Sequence, residues 1–483
     1  MKRHPINHTR ITYYCTFLFA LIFISGSCFA QKPWSLQDCI EYALANNIQV
    51  KQQKLNLQLS ADNLLQSKAA LLPSININAS HGYNYGKSVD RFTNDFATES
   101  VQFDNFYASG QLTLFNGFQL LNTIAKNRLN FKAGLYDVEK VQNDISLNLA
   151  SAYLNILYTR EYVAIADEQL SLTRLQVDRI NKLVDAGSLA KSNLLNIEAQ
   201  AANEELQLVS AQNNLDMAYL TLVQILDLKT LTGFDILKPE LKVPEQFPIL
   251  EKPEGIFTIA QNVQPQIKSA ELKVESSMKD LSIARGYTSP TLTLSGSYGT
   301  GYSGAGKRQV YTGKDTIPIG FTLQAPQEIV YSLIEGYYLE KNPFKDQIND
   351  NINQSLGFYL SIPLFNGLQT RTAIKKAKIG IENARLNLET EKNLLFNDVQ
   401  RSYSDALAAI KKYQAAKKSV DAMKEAYFYT EQKFNVGMAN SVDYNEAKKN
   451  LSKSESDLLN AKYEYVFKRT VLDFYLGKPL EIK

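Results

Sequence analysis

Leu114-Phe115-Asn116-Gly117 recurs 250 residues later as Leu364-Phe365-Asn366-Gly367. The offset persists downstream, where Tyr153 matches Tyr403 and Ala186-Gly187 matches Val436-Gly437. Upstream it is 217: Leu72-Pro73-Ser74-Ile75-Asn76-Ile77 matches Ser289-Pro290-Thr291-Leu292-Thr293-Leu294. The second copy therefore holds 33 more residues between its Pro and its Leu-Phe-Asn-Gly. A period this long is not that of a solenoid. It describes two structural halves, and it argues for one elongated body where a length of 483 residues would otherwise suggest several compact domains.

Residues 1–30 read as a secretory leader. Lys2, Arg3 and Arg10 give a positive start, Ile11 to Ile24 is mostly apolar, and Ser25 to Ala30 is rich in small residues. Cleavage after Ala30 leaves Gln31 first; lipidation at Cys28 is the alternative, although Ser25 stands where an aliphatic residue is wanted. Losing the leader takes the basic residues from 52 to 49, against 49 acidic ones, so the mature chain is formally neutral. A nucleic-acid partner then has no electrostatic basis. Cys15 and Cys28 depart with the leader, and Cys39, within a helical pattern, reads as a small buried filler. The one remaining histidine, His81, stands in a strand-like segment and suits neither a Ser-His-Asp triad nor a multi-histidine zinc site; no catalytic residue, metal or cofactor is expected.

Four segments alternate apolar and polar residues, which places the two sets on opposite faces of a strand. Ile75, Ile77, Ala79, Tyr83 and Tyr85 alternate with Asn76, Asn78, Ser80 and Asn84; Phe106, Ala108, Leu112 and Leu114 alternate with Tyr107, Ser109, Gln111 and Thr113. Leu292, Leu294 and Tyr298 alternate with Thr291, Thr293, Ser295 and Ser297; Leu356, Phe358, Leu360 and Ile362 alternate with Ser355, Gly357, Tyr359 and Ser361. An ordinary soluble sheet would show such alternation too, but aromatic and glycine residues with a small polar opposite face suit outer-membrane strands, apolar to lipid and polar to lumen. No mature segment has the 18 or more apolar residues of a spanning helix.

The remainder is helical and long. From Gln119 to Asp185 there is no Pro and Gly134 is the only Gly, while Val138, Val141, Ile145, Leu149, Ala152, Ile156, Val163, Ala166 and Leu170 keep one apolar seam. At 1.5 Å per residue such a helix spans roughly 100 Å. The expected organisation is a first repeat over 31–228 (a helix from about Leu36 to Ala70, a β-hairpin at 74–116, helices at 119–185 and 192–228), a Pro-rich extended connector at 229–253, and a second repeat over 254–483. The second repeat opens with a helix from about Glu254 to Arg285. It continues with a hairpin at 291–366, carrying a long outer loop at 303–351, and with helices at 369–435 and 442–476.

Gly301-Tyr302-Ser303-Gly304-Ala305-Gly306-Lys307 nearly spells a phosphate-binding loop, and Gly299-x-Gly301-x-x-Gly304 a dinucleotide fingerprint. Arg308 replaces the needed Ser or Thr, and the segment Gln309 to Gly313 reads as loop where a helix must follow to hold phosphate. Both readings are rejected in favour of a Gly-rich strand end entering a surface loop.

Taken with the prolines opening each first strand, the paired Leu-Phe-Asn-Gly segments and the Gly turns, the order strand, loop, strand, long helix, turn, long helix resembles the TolC-like outer-membrane efflux family over essentially all of the mature chain. The stretch Val436-Gly437 through Val442-Asp443 to Glu446 resembles the turn into that family's last long helix. The resemblance implies an α+β membrane protein: a homotrimer whose twelve-stranded β-barrel, four strands per chain, sits in outer-membrane lipid of a Gram-negative cell and continues as a helical barrel through the periplasm. Physics agrees, because four strands close no barrel and open edges are intolerable in lipid, whereas three chains supply an even twelve.

The implied function is a passive exit duct in a tripartite efflux or type I secretion system, served by a periplasmic adaptor and an inner-membrane pump of the RND, ABC or MFS type. Gly187, Ser188, Leu189, Gly437, Met438 and Ala439 would form the adaptor-docking tips. Asn116, Gly117, Asn366 and Gly367 mark the barrel-to-helix transition. Asp443 and Glu446, spaced to share one helix face, would ring the periplasmic entrance as a gate. The family usually has Asp where Glu446 stands and can also show Tyr and Arg where Phe434 and Ala439 stand, so a gate locked by those polar links is not expected here. An ordinary role remains open: acids in a first helical turn stabilise it by ~0.3–1 kcal/mol, with Asn440 as N-cap. The rival classes are a structural or adhesive coiled-coil trimer and a periplasmic adaptor. An adaptor would show soluble β-domains and a single helical hairpin.

Overall fold

The computed structural model describes residues 33–94, 96–97, 100–230, 233–239, 241 and 251–480. The expected leader at 1–30, Cys28 and, within the connector at 229–253, residues 231–232, 240 and 242–250 lie outside the described residues. In chain order the elements are α1 (Leu36–Asn46), α2 (Ile48–Ala69), β1 (Ser74–Asn84), β2 (Ser88–Val89), β3 (Phe96–Ala97), β4 (Val101–Phe115), α3 (Gln119–Asp185) and α4 (Lys191–Leu226). They continue as α5 (Pro253–Val263), α6 (Pro265–Gly286), β5 (Thr291–Ser303), β6 (Lys307–Phe321), β7 (Ile329–Lys341), α7 (Phe344–Asp350), β8 (Asn353–Ser361), α8 (Gln369–Asn435) and α9 (Ser441–Tyr475). Among the described residues no helix is long and apolar enough to cross a membrane.

The chain divides into two compact units, and the division falls within helices α2, α3, α6 and α8. One unit holds residues 56–135 and 268–390. Its centre is an antiparallel sheet in the order β1-β4-β5-β8, so β1 and β8 are its edges. A separate ribbon, β6 with β7, follows β5 in sequence.

The other unit, built on residues 136–267 and 391–483 with the start of the chain, is a packing of helices. Of the seam on α3, Val138, Ile145, Leu149, Ala152, Ile156 and Leu170 are buried. Of these, Ile145, Leu149, Ala152 and Ile156 join a core that includes Leu222 and Leu226 of α4, Ala409 and Ile410 of α8, and Tyr463 and Val466 of α9. Each fully buried aliphatic side chain contributes roughly 1.5–3 kcal/mol. Cys39 of α1 is fully buried in the same core, where burial pushes its thiol up to about 12 and keeps it an inert filler. Ser35 caps α1 reciprocally with Asp38: the Asp38 N–H donates to Ser35 Oγ at 3.1 Å, and the Ser35 N–H donates to Asp38 Oδ2 at 2.9 Å.

Three expectations are corrected. The helix expected from Leu36 to Ala70 is two helices, because Asn47 turns extended between them (ψ 133°) and its Oδ1 accepts from the Gln49 N–H at 2.8 Å. The helix expected from Glu254 to Arg285 breaks likewise at Gln264, which must avoid helical geometry because Pro265 follows it. The outer loop at 303–351 is largely regular, holding β6, β7 and α7; the segment Gln309 to Gly313, read as loop, is strand. No helix follows Lys307, so the phosphate-loop reading fails on its structural requirement as well.

Candidate functional site

Cross-strand register sorts the sheet into two faces. Ile75 lies opposite Gly110, Gly110 opposite Gly296, and Gly296 opposite Leu356; Leu112, Leu294 and Phe358 form another row, and Phe115, Leu292 and Leu360 a third. The intervening rows are polar, with Asn76, Ser109, Ser297 and Ser355 in one and Thr113, Thr293 and Tyr359 in another. Ser297 Oγ and Ser355 Oγ stand 2.6 Å apart in the first of these. The apolar rows are not packed on a core: Ile77 is 81% exposed and Leu356 76%. An ordinary soluble sheet buries such a face, whereas a membrane wall leaves it for lipid. His81 stands in this wall too, its Nδ1 2.6 Å from Asp104 Oδ1 on β4, a pairing across 23 residues that the sequence did not signal.

Both repeats leave the sheet by the same backbone turn. Gly117 and Phe118 take φ of 64° and 60°, and Gly367 and Leu368 take 61° and 64°. Left-handed geometry costs a non-glycine residue ~1–2 kcal/mol, so its recurrence at Phe118 and Leu368 identifies a turn built into both halves. Asn116 and Asn366 precede the two turns; the Asn116 carbonyl accepts from the Gln119 N–H at 3.3 Å, and the Asn366 carbonyl from the Gln369 N–H at 3.2 Å.

The two helical tips also match in detail. The Gly187 N–H donates to Val184 O at 2.9 Å and the Ser188 N–H to Leu183 O at 2.8 Å; the Gly437 N–H donates to Phe434 O at 3.1 Å and the Met438 N–H to Lys433 O at 2.8 Å. This is the Schellman termination, with glycine at the left-handed position (φ 73° and 77°). Ser188 and Met438 are exposed, and Leu189 and Ala439 are half-buried. The tips differ in what starts the next helix: Asn440 Oδ1 accepts from the N–H groups of Val442 and Asp443, both at 2.9 Å, whereas Ala190 supplies no side-chain cap.

Asp443 and Glu446 are both exposed on α9, and Tyr444 and Lys448 are buried. The buried side of α9 is tied to the first repeat. Lys448 Nζ lies 3.4 Å from Glu204 Oε1 on α4, with both side chains at most 7% exposed. It donates to Gln169 O on α3 at 2.9 Å and also to Thr173 Oγ1. Thr173 in turn donates to Glu204 Oε2, and Gln200 Nε2 donates to Glu204 Oε1 at 2.8 Å. Burial pulls the Lys448 ammonium below the usual lysine range, an effect the Glu204 carboxylate partly offsets. Nearer the tips, Arg179 Nη1 donates to Asn435 Oδ1 at 2.6 Å and Ser441 Oγ to Asn193 Oδ1 at 2.9 Å. Phe434 stacks on Tyr444 at 4.8 Å between ring centroids. Sequence reasoning missed this network because its members lie up to 279 residues apart.

Among the described residues no group of three or more His, Cys, Asp or Glu side chains is placed to hold a metal. The arrangement offers instead a two-faced sheet with free edges and a helical body with exposed tips, features suited to forming a wall.

The family model described as "Outer membrane efflux protein" matches residues 39–227 and 258–478. The chain is 23% identical to outer membrane protein TolC of Escherichia coli over 464 residues, 94% of this chain and 84% of that protein. It is 21% identical to the alkaline protease secretion protein AprF of Pseudomonas aeruginosa, over 85% of this chain and 77% of that one. Its fold is similar to the crystal structure of the Campylobacter jejuni CmeC outer membrane channel, with a TM-score of 0.72 at 17% identity over 92% of this chain and 85% of that one. With both repeats inside the match, the chain belongs to the outer membrane efflux protein family.

Proposed function

We propose that three copies of this chain close one twelve-stranded barrel in the outer membrane, and that the helices of the same three chains form the periplasmic part of a single passive exit duct. The protein is an outer-membrane efflux channel component, a transport protein and not an enzyme. The single observation that carries the trimer is the sheet: four strands, one exposed apolar face, one polar face, and edge strands β1 and β8 with one neighbour each. In hydrocarbon each unpaired backbone group costs several kcal/mol, so the edges must pair, and three sheets give an even-stranded closed wall. An adhesive stalk has no use for such a sheet.

The tips around Gly187 and Gly437 are where a periplasmic adaptor docks, and through it an inner-membrane pump. Relatives named for protease secretion and for toxin and drug export fit a duct that leaves cargo choice to such partners. Asp443 and Glu446, exposed on α9, form the acidic entrance ring. The stretch 303–351 lies outside the cell, since β5 leads out of the membrane and β8 back into it. The test is fractionation with planar-bilayer recording: the protein sediments with outer membranes and forms channels when reconstituted. Recovery as a periplasmic protein without channel activity overturns the reading.

A further inference from the structure

Gly304 to Lys307, the end of the Gly-rich stretch that fails as a phosphate loop, line a cavity of about 1080 Å³. Ligand sites commonly measure ~300–1,000 Å³, so this one has ample room for a ligand. Its other walls come from the end of β1, the segment between β1 and β4, and the turn from β7 into α7. One buried residue, Ser303, joins these walls. Its hydroxyl donates to Asp90 Oδ2 at 2.5 Å, and Asp90 Oδ1 accepts from the Thr93 N–H at 2.9 Å. The Ser303 N–H donates to Gln347 Oε1 at 2.9 Å, and Gln347 Nε2 donates to the Ser303 and Asn342 carbonyls, both at 2.9 Å. Asp90, Ser303 and Gln347 are all buried, so the walls are set before a ligand arrives.

Three features define what the cavity takes. Lys307 and Lys341 lie directly opposite each other on β6 and β7, and both line it. Like charges directly opposite are destabilising, and among the described residues no carboxylate lines the cavity to offset them. The neighbouring Glu340 and Asp346 are engaged by Arg308 instead, at 3.6 and 2.9 Å. A third ammonium, that of Lys87, lies 5.2 Å from the Phe96 ring centroid. The second feature is aromatic: Tyr83 and Phe96 line the cavity and are 52% and 70% exposed. The third is Asn342, whose buried Oδ1 has no hydrogen-bond donor among the described residues. Its amide turns about a broad torsion and can so meet a donor in the cavity. Backbone amides contribute nothing to holding an anion here. The N–H groups of Gly304, Ala305 and Gly306 are taken by Gln102 O at 2.8 Å, Ser303 Oγ at 3.1 Å and Ser303 O at 3.1 Å.

We propose that this cavity binds an acidic saccharide. A phosphate or carboxylate on the sugar meets Lys307 and Lys341, its apolar ring face lies on Tyr83 or Phe96, and a hydroxyl donates to Asn342. The opposed ammonium groups favour an acidic sugar over a neutral one, because only an anion relieves their repulsion. The inference rests on the extracellular placement of 303–351, where such a sugar is met either free or tethered to outer-leaflet lipid.

The test is hydroxyl-radical footprinting of the full-length protein in lipid nanodiscs, read at Tyr83 and Phe96. One arm adds the phosphorylated core oligosaccharide freed from lipopolysaccharide; the other builds intact lipopolysaccharide into the disc. Either should slow oxidation of Tyr83 and Phe96 and leave Tyr311, exposed outside the cavity, unchanged. Protection by the free oligosaccharide identifies a soluble ligand, and protection by the intact lipid alone a tethered one. Lys307→Gln/Lys341→Gln should raise the half-protecting dose at least about tenfold, the loss expected for charge-assisted hydrogen bonds. Lys314→Gln, outside the cavity, should not. The double variant should melt no lower than the parent, since it removes opposed like charges. Protection in neither arm, equal protection by a neutral dextran oligosaccharide, or an unchanged dose in the double variant overturns the proposal. The same preparation is recorded in planar bilayers: channels without protection remove the saccharide site alone, whereas absence of channels removes the duct reading.

Discussion

The buried tie between α9 and the first repeat gives the sharpest energetic prediction. Replacing Lys448 with Met keeps most of the side-chain volume and removes the ammonium. Glu204 is then left buried with two donors, Thr173 Oγ1 and Gln200 Nε2. Breaking one side of a buried pair costs about 3–5 kcal/mol, and the two surviving donors place this case at the low end, near 3 kcal/mol. Lys448 itself is held where its charge is disfavoured, so the pair as a whole adds little net stability. The Lys448→Met/Glu204→Leu double variant should therefore recover to within about 1 kcal/mol of the parent. Amide hydrogen exchange over residues 441–454 in the detergent-solubilised protein reads this directly. At 1.4 kcal/mol per tenfold, opening should be about a hundredfold more frequent in the single variant and near parental in the double. Unchanged exchange in Lys448→Met would refute the view that the tie holds α9 down; a double variant worse than the single would refute the assignment of its cost to the stranded carboxylate.

Three other outcomes are expected. Asp443→Ala/Glu446→Ala should lose both cation preference and block by a trivalent cation from the periplasmic side in single-channel recordings. The trimer should survive, since only ~0.3–1 kcal/mol of helix-dipole stabilisation goes. Burial pushes the Glu161 carboxyl up, but Lys238 at 2.9 Å and the Tyr463 hydroxyl at 2.8 Å outweigh it and hold the group net below its ordinary value. Its stabilising contribution is thus present above the ordinary carboxylate range and is lost as pH falls through the folded value. Thermal midpoints should decline with acid less steeply in Glu161→Gln than in the parent, and identical slopes would remove Glu161 from the account. Finally, a maleimide reagent that cannot cross the membrane should label Lys314→Cys, on β6, in intact cells; labelling only after lysis reverses the topology of 303–351.

How much of this was legible depended on the range of the signal. The strands of the wall could be read because period two survives in every one: Ile75, Ile77 and Ala79 declare a face with no knowledge of what covers it. The strand offsets of 217 and 250 carried further than secondary structure, since they reproduce the register between β5 and β8. Pro265 carried the break between α5 and α6, and a reading for long helices passed over it. Asn47 gave weaker notice, because neither Gly nor Pro marks that break; a side chain accepting from Gln49 does so. The β6–β7 ribbon was hidden because two irregularities, near Thr312 and Ile319, interrupt its alternation and make it resemble a polar loop. The Lys448–Glu204 tie could not be read at all, since 244 residues separate its members and only packing joins them.

The central claim is that one chain cannot close its own wall and that three chains do. Native mass measurement of the outer-membrane protein, extracted in mild detergent and freed of it in the gas phase, tests this most directly. The account predicts a single dominant species of three mature chains, dissociating to monomer only as it unfolds. A dominant stable monomer, or a closed assembly of any other number, would contradict it.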